Sequence, residues 1–150
     1  MNNFHHTALV KVPPQRLYEI ITDIESYPKV ISQCKSAQIT SRKPLDGEQA
    51  GSEEVVAALS LKLGPLKRRF ITRNIHTPHS LVRVDLHSGS MHSLQGEWQL
   101  TEVDANTSRI VCEFAFSLGN NTMDALAARF LQLYLKHSVE HYIAYAERQQ

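Results

Sequence analysis

The chain has 150 residues, 42% of them apolar and 21% charged, with a formal net charge of +1. That size and balance suit one globular domain over 1–150 and exclude wholesale disorder. A charge so near neutral excludes a protein that lives mainly on phosphate contacts, and DNA is not an expected partner, although local basic patches stay compatible with it.

Phe4, His6, Ala8, Val10 and Val12 alternate and predict a first strand, which Pro13-Pro14 stops. Pro14 suits the first turn of a helix, where its missing N–H costs nothing. Leu17, Tyr18, Ile20, Ile21 and Ile24 then recur at helical spacing. Asp23 to Tyr27 reads as a turn, with Tyr27 held extended because a proline follows it. Pro28 opens a second short helix ending near Gln33. Alternation resumes at Ala37, Ile39 and Ser41, and the turn Lys43 to Gly47 closes that strand. Val55, Ala57, Leu59, Leu61 and Leu63 share one face of a long strand, and Gly64-Pro65 makes a hairpin. Further strands follow over Lys67 to Thr77, Leu81 to His87, Leu94 to Leu100 and Ile110 to Phe116. Met123 to about Glu147 is an unbroken helical stretch, with Asn121 or Thr122 as N-cap and Asp124 favoured by the helix dipole.

The expected fold is therefore α+β: a seven-stranded curved antiparallel sheet wrapped around a long C-terminal helix, with two short helices after the first strand. The helix stripe Met123, Leu126, Ala127, Phe130, Leu131, Tyr134, Leu135, Val139 and Tyr142 needs the sheet's concave face to lie on. The space left over is either filled by side chains or left as a cavity.

Cys34 and Cys112 stand in no metal or redox spacing, which fits a reducing compartment. No apolar run approaches the ~20 residues of a transmembrane helix. Met1 to His6 shows no signal-peptide pattern, so a cytoplasmic location is expected.

Several blocks resemble one family. They are Thr7-Ala8-Leu9-Val10; Asp23-Ile24-Glu25-Ser26-Tyr27-Pro28 followed by Cys34-Lys35-Ser36-Ala37; Phe70-Ile71-Thr72-Arg73-Asn74; Leu94-Gln95-Gly96-Glu97-Trp98-Gln99-Leu100; and Cys112-Glu113-Phe114-Ala115-Phe116. In order and spacing they are similar to the coenzyme Q-binding family of the START-like, helix-grip superfamily. Its bacterial members are described as ribosome-association toxins and as oligoketide cyclase/lipid transport proteins. The resemblance implies a helix-grip fold, with ubiquinone or another polyprenyl lipid as ligand and a ribosomal subunit as a partner. Two positions depart from the family pattern: Gln33 stands where a Trp or small residue is usual, and Ser88-Gly89-Ser90-Met91 where an Asp-Gly-Pro-Phe-like turn is usual.

Candidate pocket-lining residues are Leu59, Leu61, Val82, Val84, Met91, Trp98, Phe114 and Phe116 from the sheet, and Met123, Phe130 and Tyr134 from the helix. Met91 suits irregular space. Tyr27, Pro28, Val30 and Ile31 would form a lid over the pocket mouth. The structural alternative has Asp23 and Glu25 capping helix ends and Tyr27 plugging the core. The basic hairpin of Lys62, Lys67, Arg68, Arg69 and Arg73 offers a docking face for anionic lipid or ribosomal RNA, with Lys67, Arg69 and Arg73 on one strand face; the alternative is a solvated sheet exterior. His137-Ser138-Val139-Glu140-His141 matches a zinc-protease pattern, yet no further ligand follows it, so no metal is expected. No catalytic triad or Gly-rich phosphate loop is legible, and an enzyme is not expected.

Three functions follow from these expectations. The favoured one is a carrier or chaperone for ubiquinone or a similar polyprenyl lipid supporting respiration, with peripheral contact at the inner face of the membrane as an option. The second is a factor that binds ribosomal subunits and blocks their association. The third is a polyketide cyclase or aromatase. No cofactor is expected beyond a bound quinone.

Overall fold

The computed structural model describes residues 2–47 and 49–148. β1 (Asn2–Val10) alternates inward and outward side chains as its sequence does. It ends two residues short of Val12, which is still buried and whose carbonyl accepts from Ser108 Oγ at 2.6 Å. α1 (Pro14–Thr22) starts on Pro14 and buries Leu17, Ile20 and Ile21. A 3-10 turn (Ile24–Ser26) leads straight into α2 (Tyr27–Val30). Tyr27 is helical (φ −51°, ψ −43°), not extended as expected. Its N–H bonds Ile24 O, its carbonyl accepts from Ile31 N at 2.8 Å, and its hydroxyl donates to Ile21 O. Those bonds together outweigh the preference imposed by the following proline. α2 stops at Val30, short of Gln33, because Ile31 turns extended and is fully buried.

Six strands follow: β2 (Cys34–Pro44), β3 (Glu53–Leu63), β4 (Leu66–Thr77), β5 (Leu81–Gly89), β6 (Ser93–Asp104) and β7 (Thr107–Ser117). They form one antiparallel seven-stranded sheet in the order β1-β7-β6-β5-β4-β3-β2. Register shifts at Cys34/Ser36, Ile39/Ser41, Ile71/Thr72 and Glu102/Asp104 add local bends, which help the sheet curl. β5 and β6 pair only between Leu81–Asp85 and Gln95–Gln99. Beyond that they part, and Met91 in the connection between them is buried and turns to the interior.

α3 (Thr122–Arg148) lies in the concavity. Asn121 Oδ1 caps it by accepting from Asp124 N at 2.8 Å. Asp124 in turn takes Arg68 of β4 at 3.2 Å, a pair whose side chains are only 17% and 15% exposed. The core holds Ala127, Ala128, Leu131, Tyr134, Leu135, Val139, Tyr142 and Ala146 from α3. Each Leu-sized side chain buried there stabilises the fold by roughly 1.5–3 kcal/mol. At the β3–β4 turn Gly64 has φ +65°, and the Phe130 ring lies where its side chain would be, 2.3 Å from an added Cβ.

Candidate functional site

Between the concave face and α3 lies a cavity of about 80 Å³. It centres on one inward row of the sheet: Asn74 pairs Val84, Val84 pairs Gly96, and Gly96 pairs Phe114. Gly96 offers no side chain, and the Phe114 ring occupies that spot, 2.2 Å from where a Cβ would stand. Leu59, Leu61, Phe70, Thr72, Met91 and Leu94 complete the sheet side; Leu131, Tyr134, Leu135, Ser138 and Tyr142 complete the helix side. Ile24 and Tyr27 close one end.

A chain of rings runs across this space. Phe114 meets Trp98 edge-on at 6.0 Å, Trp98 meets Tyr142 at 5.3 Å, and Tyr142 meets Tyr27 at 5.7 Å. Such contacts favour edge-to-face geometry and add to the area they bury. Tyr27 and Tyr142 also face an outer depression of about 220 Å³ bounded by α1, α2 and α3. The two rings are therefore the wall between inside and outside.

The polar groups here are neutral. Asn74 Nδ2 donates to Val55 O at 3.1 Å and Thr72 Oγ1 at 3.0 Å. Ser138 Oγ donates to Tyr134 O at 2.7 Å. Burial pushes the phenols of Tyr27, Tyr134 and Tyr142 well up, and lifts the neighbouring Cys34 thiol to about 11. The lining thus presents uncharged hydrogen-bonding groups in an apolar wall, with no charged side chain among the described lining residues.

Of the expected lining residues, the structure brings together Leu59, Leu61, Val84, Met91, Trp98, Phe114 and Tyr134. Four others sit elsewhere. Val82 and Phe116 point inward but lie in the rows flanking the cavity, where both are packed solid. Met123, in the first turn of α3, is 48% exposed. Phe130 lies on Gly64 and faces an outer groove. Sequence reasoning missed Ile24, Phe70, Thr72, Asn74, Leu94, Leu131, Leu135, Ser138 and Tyr142 as lining. The alternation of Phe70, Thr72 and Asn74 was a usable signal, hidden because two of the three are polar.

In the expected lid, Tyr27 borders the cavity, Val30 faces the outer depression, and Ile31 is core. Pro28 sits part-buried in the first turn of α2. Glu25 does not cap a helix; its carboxylate accepts from Ile39 N at 3.0 Å and ties the turn to β2. Asp23 makes no side-chain cap bond either.

The expected docking face is also redrawn. Lys67, Arg69 and Arg73 are exposed on the outer face of β4, but Arg73 pairs Glu54 at 2.7 Å. Arg68 points to the opposite side and is held by Asp124, because strand alternation turns it inward. His137 Nδ1 accepts from Gln33 Nε2 at 2.7 Å, which ties α3 to the start of β2. A depression of about 410 Å³ lies across the sheet's convex face among Arg83, Asp85, Glu97 and Glu113 and carries mixed charge. No helix among the described residues is long and apolar enough to cross a membrane.

A curved antiparallel sheet closed on a C-terminal helix around a small apolar cavity defines the START-like, helix-grip class. Residues 10–141 match the family described as polyketide cyclase/dehydrase and lipid transport, and the chain belongs to that family. The START-like relationship expected from the motif blocks is thereby borne out. A relative named Ribosome association toxin RatA, from Pseudomonas aeruginosa, is 26% identical over 149 residues, spanning 88% of this chain and 97% of the relative. Among solved structures, the Zhui aromatase/cyclase from a Streptomyces species superposes with a TM-score of 0.80 at 15% identity over 99% of this chain and 94% of the other. A START superfamily protein from Mycobacterium smegmatis gives 0.79 at 14% identity, with 99% of both chains covered. These two likenesses establish the fold.

Proposed function

We propose that this protein acts through its outer surface, by binding a ribosomal subunit and hindering subunit association. The observation that carries this reading is the interior. A cavity of about 80 Å³ is several-fold below the ~300–1,000 Å³ of sites that hold drug-sized ligands. A polyprenyl tail has no room in it as the side chains stand. Support comes from the relative named for ribosome association, which matches this chain nearly end to end. The second of the three sequence expectations therefore moves ahead of the first. Ribosomes incubated with excess purified protein and sedimented through sucrose should show fewer monosomes and more free subunits. An unchanged profile at excess protein ends the idea.

A second reading keeps the cavity as a site for an apolar ligand such as a quinone. The Tyr27–Tyr142 wall favours it, because swinging one ring aside would join the cavity to the 220 Å³ depression outside. Protein purified from its native host and solvent-extracted would then yield a quinone by mass spectrometry. Repeated preparations free of lipid would remove the reading. Cyclase chemistry draws support from the family description and from the fold, and the cavity would supply it neutral phenols and an amide.

A further inference from the structure

Among the described residues, four cations of the sheet are engaged in ion pairs, while Lys67, Arg69, Arg83 and Arg109 stand singly on its outer face. Arg42 pairs Glu53 at 2.8 Å, Lys43 reaches Glu54 at 3.7 Å, and Arg68 and Arg73 have the partners described above. A further set lies beside α3. Lys35 and Lys62 border an outer groove of about 360 Å³ beside α3, together with His137, Phe130 and Leu133. Lys29 and Arg148 border a depression of about 340 Å³ further along the same helix, with His141 and Tyr145. Among the described residues, none of these four cations is in an ion pair. Among the described residues no carboxylate lines either depression. Glu140, exposed on α3 between the two histidines, borders neither, and Glu147 is turned away to accept from Lys11 N at 3.0 Å.

The two depressions follow one another along α3. His137 borders the first and His141 the second, and their rings stand 6.4 Å apart on successive turns of α3. The result is a furrow with unneutralised cations along it. Its apolar floor is Phe130 and Leu133, the latter 46% exposed. Cations that follow a backbone beside an aromatic face are what binds single-stranded or looped RNA without reading its sequence. A net charge of +1 is no obstacle, since phosphate binding depends on local potential.

We infer that this furrow along the outer flank of α3, bordered by α2 at one end and by the starts and turns of β2 to β4 at the other, is the surface that holds RNA phosphates, with Lys29, Lys35, Lys62 and Arg148 as the contacts and Phe130 as a base platform. The inference rests on the ribosomal reading above and says which face carries it. Binding of a short fluorescent single-stranded RNA should show a log–log salt slope of about −3, from ~0.7 per phosphate neutralised on single strands.

The test uses the whole chain in three forms: wild type, Lys35→Glu/Lys62→Glu, and Arg69→Glu/Arg73→Glu on the hairpin, which avoids Lys67 because it lies directly across the ladder from Lys62. Each is checked for an unchanged melting transition. Each is then measured for binding to purified ribosomal subunits, to the RNA oligomer, and to vesicles of phosphatidylcholine with phosphatidylglycerol. The furrow variant should lose at least about tenfold in subunit and RNA affinity, and the hairpin variant less than about twofold. Wild-type binding to subunits that the furrow variant retains, or that the hairpin variant loses instead, overturns the furrow while leaving the ribosomal reading intact. Wild type that ignores subunits sinks that reading. In that case, RNA binding lost only in the furrow variant would still uphold the furrow itself. Furrow-dependent binding to vesicles but not to RNA would make the partner a lipid surface and refute the inference.

Discussion

Along α3 the inward side carries Leu131, Tyr134, Leu135, Ser138 and Tyr142, while the outer flank carries Phe130, Leu133, His137, His141 and Tyr145. Both are mixtures of apolar, aromatic and polar residues. They differ in what meets them. The inward side is met by seven strands, which leave a gap of about 80 Å³. The outer flank is met only by α2 and the strand ends, and its two hollows of about 360 and 340 Å³ stay open to solvent beside unpaired lysines. Similar composition thus serves cohesion on one side and contact on the other, and the neighbouring elements decide which.

The largest effect expected within this contrast is on the inward side. Trp98→Ala removes the centre of the ring chain and should lower unfolding free energy by about 3–5 kcal/mol in urea titration. A loss below about 1 kcal/mol would mean the rings are not the packed spine described. Next is an acid sensitivity lodged beside α1. His76 is buried beside Tyr18, its Nε2 has no hydrogen-bond partner among the described residues, and Glu53 approaches its Nδ1 only to 3.7 Å. Burial, helped by Arg42, pulls its pKa down to about 4 from the ordinary 6.5. Glu53 does not reverse this, because Arg42 already holds that carboxylate at 2.8 Å. Between those two values the unfolded chain takes a proton that the folded chain refuses. Stability is therefore full above the ordinary value and falls as pH drops toward about 4, by ~2–3 kcal/mol from this site. His76→Gln should flatten that part of the stability–pH curve. An equally steep curve in the variant would assign the loss elsewhere.

On the outer side the effects shrink. Gly64→Ala should cost about 1–2 kcal/mol, since the left-handed backbone is strained by a Cβ and Phe130 must move. It should also weaken RNA binding, because the platform shifts; a variant that melts lower yet binds unchanged would detach Phe130 from the furrow. The smallest effects are electrostatic. A double-mutant cycle on Arg68 and Asp124 should give a coupling of about 1 kcal/mol, and one on the more exposed Arg73 and Glu54 under about 0.5 kcal/mol. A reversed order would mean that burial does not govern these pairs.

Much of this architecture was legible beforehand. Period-two alternation and turn residues located the strands, and the absence of Gly or Pro after Thr122 located α3. The motif blocks also converge: Tyr27, Trp98 and Phe114 come from three separate blocks and meet around the cavity. What alternation cannot give is position along a strand relative to the helix. It identified the inward faces of Val82 and Phe116 but not that the cavity lies in the row between them. Helical periodicity similarly overextended the inward stripe to Met123 and Phe130, since an apolar residue on the margin of a stripe reads the same whether covered or open. The furrow was legible only at Lys62, which the sequence placed in the basic hairpin; Lys29, Lys35 and Arg148 are scattered through the chain, and only the fold brings them to the same flank of α3.

The order of the strands has a consequence for biogenesis. β1 is made before β7, its ladder partner among the described residues, which lies roughly a hundred residues later. At ~5–20 residues per second of translation, the nascent chain carries an unmatched strand for several seconds before its mate emerges. Such long-range closure also slows folding in general. During that interval the exposed ladder groups of residues 2–10 are where misassembly would begin and where a chaperone would have most to shield.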